Sequence, residues 1–304
     1  MKLPRKNRAV PRHLLTTSCI FLFSNLSFFS DAVCGDNLIP SGDFEASSEE
    51  WKADMGIERV FRVEFDEKHA GDASLGLQYS AWVLSPELVE IEPDGIYRLS
   101  AFFKRPKVAT FGSESQKITF QLALWMYDAE DNLIGGMAVE PVKGTETKLT
   151  AEATEGSTEL RVEGEPWKRK TISGLAGGIP FDAIAFDVHG DYSDLPNRAS
   201  YMIESISEDN GGALIRLRKP LKQAYPVGTQ VRQHAAAEVI QVGGVPSPEW
   251  TESFVEVSGM SEPGKVAADK FWPGTKKVRI AIRAHGSEGP EVDLLVDDVT
   301  LLKN

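Results

Sequence analysis

The chain has 304 residues, and its 33 Lys and Arg against 45 Asp and Glu give a formal net charge of −12. So acidic a chain repels the phosphate backbone of nucleic acids, which argues against a generic nucleic-acid binder. Aromatic and β-branched residues recur in short runs that Gly, Pro, Asp and Asn separate, without a sustained helical period. This pattern favours an all-β protein.

Residues 1–32 have the composition of an export signal. Five basic residues precede a mostly apolar stretch at 14–29, and Ser30-Asp31-Ala32 offers a cleavage site between small residues. The apolar stretch is shorter than the roughly 20 residues that a membrane-spanning helix needs, and no later stretch is apolar enough to span a membrane. We therefore expect cleavage and a secreted, periplasmic or cell-surface protein.

Cleavage would remove the five basic residues and Asp31, which changes the formal net charge from −12 to −16. Cys34 would then be the single cysteine, which excludes an internal disulfide. The stability of the exported protein would have to come from its core, its size and a bound metal ion rather than from disulfides.

Residues 33–143 contain the first group of predicted strands. The group opens on Asn37-Leu38-Ile39-Pro40, which we interpret as a first strand that lies beside the last strand of the chain. Alternating side-chain character then predicts strands at 59–65, 75–79, 96–104 and 118–127, with polar turns between them.

Residues 236–304 contain the last group, with predicted strands at 250–257, 278–284 and 292–301. Neither group alone has enough strands to cover its own hydrophobic face. Together they supply roughly eight strands, which is the number in a jelly-roll β-sandwich. The two groups therefore predict one sandwich that is built from both ends of the chain.

Residues 144–235 interrupt this pattern with strands of their own, predicted at 158–162, 184–188, 201–206 and 213–217, and the stretches 219–221 and 224–231 close the segment. A long insertion in a surface loop costs little conformational entropy, because the two ends of a loop already lie close together. We therefore expect a small β domain inserted in a loop of the sandwich.

Four short motifs occur in order along the two outer groups. They are Asn37-Leu38-Ile39-Pro40 with Asp43-Phe44-Glu45, then Gly71-Asp72-Ala73-Ser74-Leu75, then Tyr97-Arg98-Leu99-Ser100 with Lys104, and finally Val296-Asp297-Asp298-Val299. In this combination the outer groups resemble the family 4, 9 and 22 carbohydrate-binding modules. The resemblance implies a galactose-binding-like jelly roll and a non-catalytic protein whose partner is a polysaccharide or another glycan. It does not extend to residues 144–235.

The same resemblance implies a structural Ca²⁺ ion where the two chain ends meet. Ca²⁺ takes six to eight oxygen ligands from carboxylates and carbonyls. Acids of the end motifs and of the turn at 71–75 would supply them: Asp43, Glu45, Asp72, Asp297 and Asp298. Adjacent carboxylates would repel one another in an acidic protein, and a divalent ion relieves that repulsion. The alternative is that these acids are solvated turn residues.

The alternation within the strands predicts a ligand face. If the outward rows of 96–104, 118–127 and 278–284 lie on one sheet, they join aromatic rings and guanidinium groups: Arg98, Phe102, Trp125, Tyr127, Arg279 and Arg283. Sugar rings stack on aromatic rings, and Arg binds hydroxyl and carboxylate oxygens in pairs. Basic groups on an acidic protein indicate an anionic glycan, such as a uronate or a sulfated chain.

An alternative interpretation places Trp125 and Tyr127 in the core and leaves the basic side chains facing solvent. Of the other tryptophans, we expect Trp51 and Trp272 to pack in the core, and Trp82 and Trp250 to be alternative ligand contacts. The segment 189–194 has residue types that ligate metals, although ordinary loop chemistry explains it better.

The sequence has no Gly-x-Ser-x-Gly elbow, no Gly-rich phosphate loop and no His-Glu-x-x-His motif, so a binding protein is the leading expectation. Two alternatives stay open. One is a structural or adhesive surface protein that uses the sandwich and the insert for protein contacts. The other is a lyase or hydrolase on a jelly-roll scaffold, with paired carboxylates. An aromatic row along an open groove would favour glycan binding over both.

Overall fold

Both ends of the chain contribute strands to the same two sheets in the computed structural model. The structure describes residues 35–45, 50–54, 61–78, 82–106, 118–170, 181–285 and 292–304, which belong to one compact unit. The predicted export signal, Cys34 and residues 59, 60 and 79 of the predicted strands lie outside these ranges. None of the helices within the ranges has the length and the apolar character that a membrane crossing needs.

The strands are numbered in chain order. The first seven are β1 (Lys52–Ala53), β2 (Phe61–Glu64), β3 (Ser74–Leu77), β4 (Trp82–Leu84), β5 (Val89–Glu90), β6 (Ile96–Lys104) and β7 (Thr119–Tyr127). The next seven are β8 (Glu140–Pro141), β9 (Thr147–Lys148), β10 (Glu159–Glu163), β11 (Asp182–Phe186), β12 (Ser200–Asp209), β13 (Gly212–Leu217) and β14 (Gln230–Ala235). The last four are β15 (Gln241–Gly244), β16 (Thr251–Ser258), β17 (Lys277–His285) and β18 (Leu294–Lys303).

The first and last groups of strands form two facing sheets. One sheet has five strands in the order β16-β6-β18-β3-β2. The other has six, in the order β1-β4-β17-β7-β15, with β5 also paired to β17. The central pairs, β6 with β18 and β7 with β17, are antiparallel. The protein is therefore an all-β sandwich, as the sequence predicts, while the jelly-roll order of its connections stays a prediction.

The core between the two sheets follows the alternation of the strands. Strand β6 turns Leu99 and Phe103 inward, and β7 turns Phe120 and Leu124 inward. The rings of Phe103 and Phe120 stack between the sheets, with centroids 4.1 Å apart. Because the inward rows fill the core, a surface site on either sheet has to be built from the outward rows of the same strands.

Strands β8 to β14 form a third sheet of seven strands, in the order β10-β13-β12-β11-β14-β8, with β9 also paired to β14. A bridge between Leu149 and Val162 brings the end of β9 against β10, so this sheet closes on itself. It has its own hydrophobic core, in which the rings of Phe186 and Tyr225 stack with centroids 3.9 Å apart. Six of its seven strands lie within the predicted insert at 144–235, and β8 precedes it. An inserted domain that folds independently stays a prediction.

The segments that lead into and out of the third sheet meet beside the sandwich. Ala237 donates its backbone N–H to the carbonyl oxygen of Gly136 at 3.3 Å. A Cβ atom on Gly136 would lie 2.7 Å from the Ala237 oxygen, so this close approach requires a glycine. Nearby, Asn197 from the third sheet donates its backbone N–H to the carbonyl oxygen of Ala138 at 2.8 Å. The entry and exit of the third sheet are therefore adjacent.

Four of the predicted strands agree closely with the structure, whereas the predicted strand at 292–301 is shifted by two residues from β18. The ranges 96–104, 118–127, 250–257 and 278–284 match β6, β7, β16 and β17 within one residue at each end. Each of these strands has a regular alternation of inward and outward residues, which is the signal that the sequence analysis uses.

The opening segment is not a strand, contrary to expectation. Pro40–Asp43 forms a 3-10 turn, and only Asn37 makes a bridge to β18, opposite Leu302. Pro40 has no N–H group to donate to a ladder, so strand pairing ends there. The predicted proximity of the two chain ends is nevertheless present, because Leu38 donates its N–H to the carbonyl oxygen of Leu301 at 2.9 Å.

Candidate functional site

The six side chains that the sequence assigns to one ligand face lie on two different sheets. Two are on β6 of the five-stranded sheet and four are on β7 and β17 of the six-stranded sheet: Arg98 and Phe102, and then Trp125, Tyr127, Arg279 and Arg283. The opposite rows of all three strands fill the shared core, so the two groups lie on opposite outer surfaces. The expectation of a single ligand face is therefore wrong, and the six residues lie on two separate faces. Alternation indicates the side of a strand on which a residue lies, but not the sheet to which the strand belongs.

The outer face of the five-stranded sheet is covered by the protein's own side chains. Arg98 donates to Glu252 at 3.0 Å, and its guanidinium group lies 4.0 Å from the ring centre of Phe254. The ring of Phe102 stacks on His69, with centroids 3.6 Å apart and planes 14° from parallel. The hydrogen-bonding group of Arg98 and the ring face of Phe102 are therefore already in contact with other side chains of the protein. For this reason we place the candidate site on the other sheet.

Two indole rings dominate the outer face of the six-stranded sheet. Trp82 on β4 and Trp125 on β7 flank β17, and their rings meet edge to face with centroids 6.0 Å apart and planes at 64°. Between them β17 carries Ala281, which pairs with Leu84 on one side and Ala123 on the other. These buried alanines leave room for the indoles to pack onto the sheet, while each indole stays partly exposed.

Arg279 and Arg283 lie on β17 beside these rings. Arg279 pairs across the sheet with Trp125, and its guanidinium group is 5.7 Å from the ring centre of Tyr127. Arg283 pairs with Trp82 and lies 5.8 Å from its ring centre. Among the described residues, the buried Nε atom of each arginine has no hydrogen-bond partner. A buried N–H without a partner costs about 1–3 kcal/mol.

Tyr127 differs from the other predicted ligand residues on this sheet, because it is buried. Burial raises the pKa of its phenol group, and the nearby Arg279 opposes that shift. The hydroxyl group is therefore protonated at neutral pH. We therefore infer that Tyr127 supports the side chain of Arg279 and does not contact a ligand directly.

Two cavities lie beside Arg283 and Arg279, which are the cross-strand partners of Trp82 and Trp125. The larger has a volume of about 550 Å³, and its lining includes Gln121, Gln241, Arg283 and His285. The smaller has about 390 Å³, and its lining includes Glu50, Lys52 and Arg279. In the larger cavity, the amide group of Gln121 donates to Oε1 of Gln241 at 3.0 Å. Clefts of roughly 300–1,000 Å³ are typical of ligand sites, so both cavities have the size of a ligand-binding cleft.

The acids of the N-terminal motif accept hydrogen bonds from the backbone. Oε1 of Glu45 accepts the N–H groups of Asp72 at 2.7 Å and of Ala73 at 3.1 Å. Oδ1 of Asp43 accepts the N–H group of Glu45 at 3.2 Å. A Cβ atom on Gly71 would lie 2.0 Å from Oε1 of Glu45, so the turn closes directly on this carboxylate.

The acids of the C-terminal motif hold the same turn from its other end. Oδ2 of Asp297 accepts the N–H groups of His69 at 2.8 Å and of Ala70 at 3.3 Å, and its Oδ1 accepts the N–H group of Asp298 at 2.8 Å. Burial raises the pKa of the Asp297 carboxyl group, and these three donors oppose that shift. Oδ2 of Asp298 accepts a hydrogen bond from Nδ1 of His69 at 2.6 Å.

The five predicted calcium ligands therefore do not converge on one point. Asp72 has an almost fully exposed side chain beside Lys68, and Asp43, Glu45 and Asp297 accept N–H donors. In the part of the chain that the structure describes, no group of three or more Asp, Glu, His or Cys side chains is placed to hold a metal ion. The N–H donors use Oδ1 of Asp43, Oε1 of Glu45 and both carboxylate oxygens of Asp297, so these acids stabilise the turn without a cation. Calcium binding stays a prediction.

The third sheet contains a buried polar network that the sequence analysis missed. The fully buried Arg232 forms an ion pair with Asp194 at 2.8 Å, and its Nε donates to Nε2 of His234 at 3.1 Å. Nδ1 of His234 donates in turn to the carbonyl oxygen of Met137 at 2.8 Å. Burial lowers the pKa of His234 to about 4, so its imidazole is neutral at pH 7. Asp194 belongs to the segment 189–194, whose residue types could ligate a metal ion. In the structure its carboxylate forms the ion pair with Arg232.

Comparisons with known proteins do not assign the chain to a family. No family model matches the sequence, and no curated protein matches it. The likeness to the family 4, 9 and 22 carbohydrate-binding modules rests on the four motifs in the outer groups of the chain.

Proposed function

We propose that this is an exported, non-catalytic glycan-binding protein, and that the glycan lies on the outer face of the six-stranded sheet. The observation that carries the proposal is the partly exposed pair of Trp82 and Trp125, with the guanidinium groups of Arg279 and Arg283 beside these rings. Export follows from the signal predicted at residues 1–32.

Each part of this face matches a part of a sugar. The C–H faces of a sugar ring pack on aromatic rings, and apolar contact of this kind contributes about 1–3 kcal/mol. Arg279 and Arg283 offer planar sets of N–H donors for hydroxyl or carboxylate oxygens. Gln121 and Gln241 add amide groups in the larger cavity. Stacking rings beside polar donors suit a ligand that is apolar on its ring faces and polar at its edge.

The carboxylates of this face support binding better than hydrolysis. A glycosidase needs two carboxyl groups that flank the scissile bond, about 5–10 Å apart. Among the described lining residues, the larger cavity has no carboxylate and the smaller has Glu50 alone. The arrangement therefore lacks the carboxylate pair of the hydrolase alternative within these residues.

A glycan array tests the proposal with three forms of residues 33–304. The wild type should bind at least one polysaccharide. Trp82→Ala should weaken that binding by about tenfold or more, because the stacking surface is lost. Phe254→Ala is the matched control, since Phe254 is an aromatic residue that is 49% exposed on the opposite sheet, and it should bind like the wild type. The proposal is contradicted if no glycan binds, or if only the Phe254→Ala variant loses binding.

A further inference from the structure

The charges along the proposed glycan face are distributed unevenly. At the smaller cavity, Arg279 and Lys52 share the lining with the carboxylate of Glu50. At the larger cavity, Arg283 and His285 share the lining with uncharged residues, and no carboxylate is present among the described lining residues. The two ends of the face are therefore different, because an anion meets a carboxylate at the smaller cavity and none among the described lining residues of the larger one.

Arg283 differs from other arginines on the sheet surfaces, because the described residues give it no Asp or Glu partner. The chain has 45 Asp and Glu, and other arginines on sheet surfaces are paired with them, as Arg98 is with Glu252 and Arg161 with Asp209. Arg283 instead has a buried Nε without a hydrogen-bond partner among the described residues, and its guanidinium group lies beside the ring of Trp82. A guanidinium group held against an aromatic ring is oriented in advance of binding, which reduces the entropy lost when a ligand arrives.

We propose that the ligand of this face is an anionic glycan, and that its carboxylate or sulfate group binds to Arg283 in the larger cavity. The sugar ring that carries the acid would stack on Trp82, whose ring centre is 5.8 Å from the guanidinium group. The planar fork of Arg283 matches the two oxygens of such a group, and Gln121, its neighbour across the sheet, supplies an amide beside it. This inference rests on the proposed glycan binding and adds its charge class and its orientation.

Arg279 is the natural comparison, because it lies on the same strand and also has an unpartnered Nε. Its cavity contains Glu50, which repels an anion and lies close enough to share the lining with Arg279. We therefore assign the acidic group to the Arg283 end and the neutral part of the chain to the Arg279 end.

Polygalacturonate and its fully methyl-esterified form test the carboxylate, because they share one backbone and differ in charge. Chondroitin sulfate and its desulfated form test the sulfate in the same way. Wild-type residues 33–304 should bind at least one acidic chain more tightly than its uncharged counterpart by about tenfold or more, as expected for a hydrogen-bonded charge pair. Added salt should narrow this difference, since it screens the charges.

Variants of the two arginines locate the acid. Arg283→Gln should remove most of the preference for the acidic chain over the uncharged one, because the variant loses the charged fork that pairs with the acid. Arg283→Lys keeps the positive charge but loses the planar set of donors. Its preference for the acidic chain should therefore lie between those of the wild type and of Arg283→Gln. Arg279→Gln should keep the preference. Equal binding of acidic and uncharged chains by the wild type would overturn this inference and leave the proposed function intact. Loss of the preference in Arg279→Gln but not in Arg283→Gln would overturn the assigned orientation, and no binding of any chain would overturn both proposals.

Discussion

Trp82 and Trp125 meet edge to face across β17, with ring centroids 6.0 Å apart. Their strands are not neighbours, so the contact depends on the strand between them. There β17 carries Ala281, whose small side chain lets both indole rings pack over it. The aromatic pair is therefore a product of the sheet order β4-β17-β7 and not of a local sequence motif.

The substitution Trp125→Ala should separate ligand binding from stability. Because Trp125 is partly exposed, we expect its loss to lower the free energy of unfolding by about 1–2 kcal/mol and the glycan affinity by about tenfold. The control is Trp272→Ala, which should cost about 3–5 kcal/mol because Trp272 is buried in the core. Denaturant unfolding and glycan affinity check both variants. If Trp125→Ala is as unstable as Trp272→Ala, Trp125 is a core residue and the proposed site loses its central ring.

The turn at 69–73 should keep its stability in excess chelator. The carboxylates of Glu45 and Asp297 already accept N–H donors, so the geometry predicts an unchanged melting temperature after metal removal. A Ca²⁺ ion that binds only the folded state would instead add about 2.7 kcal/mol at a hundredfold excess over Kd. Thermal unfolding with chelator, and again after Ca²⁺ is restored, distinguishes these outcomes. A loss that Ca²⁺ reverses would support the calcium site that the sequence motifs imply.

Acidification should destabilise the protein through His234. Burial lowers the pKa of His234 to about 4 in the folded state, whereas His in an unfolded chain titrates near about 6.5. The unfolded state therefore binds the proton first. The contribution of His234 to the free energy of unfolding is therefore complete above about pH 6.5. It decreases by about 3 kcal/mol as the pH falls to about 4.

The variant His234→Gln isolates this contribution, because the carboxylates of the protein titrate in both forms. The free energy of unfolding of the wild type should fall more steeply than that of the variant between about pH 6.5 and 4. The imidazole resonances of His234 should not titrate until the pH approaches about 4. A midpoint near about 6.5 for His234 would show that the side chain is not held in the buried network.

Removal of the third sheet should leave a folded sandwich. Gly136 and Ala237 are already joined by a hydrogen bond at 3.3 Å, so a short Gly-Ser bridge can replace the chain between them. The shortened protein should unfold cooperatively, with an m-value reduced in proportion to the surface removed. It should also keep its glycan affinity, because β4, β7 and β17 carry the site. A shortened protein that aggregates, or that binds no glycan although it is folded, contradicts this expectation.

The sequence predicts the long strands well but not their partners. Strands β6 and β17 lie within one residue of their predicted ranges, because inward and outward residues alternate along them. Sheet membership depends on contacts between distant parts of the chain. For that reason the sequence places Arg98 beside Arg279, whereas the structure places them on opposite sheets.

The residues of the site show the same limit. Trp125 lies on a strand of nine residues with a clear alternation, and the sequence assigns its outward direction correctly. Trp82 lies on a strand of three residues, which is too short to show a period, so it stands only as an alternative contact. Arg232 and His234 lie on the same side of β14. In a sequence, charged residues that alternate along a strand predict a face exposed to solvent. Only the packing of the third sheet shows that these two side chains form a buried network.

The indole N–H resonances of the tryptophans test the central claim most directly. In isotope-labelled residues 33–304, titration with the polysaccharide that binds on the array should shift the signals of Trp82 and Trp125, assigned through single Trp→Phe variants. The signal of Trp250, which lies against His69 at the five-stranded sheet, should stay in place, and so should that of the buried Trp51. Shifts of Trp250 with unchanged signals from Trp82 and Trp125 would contradict the account and place binding on the five-stranded sheet.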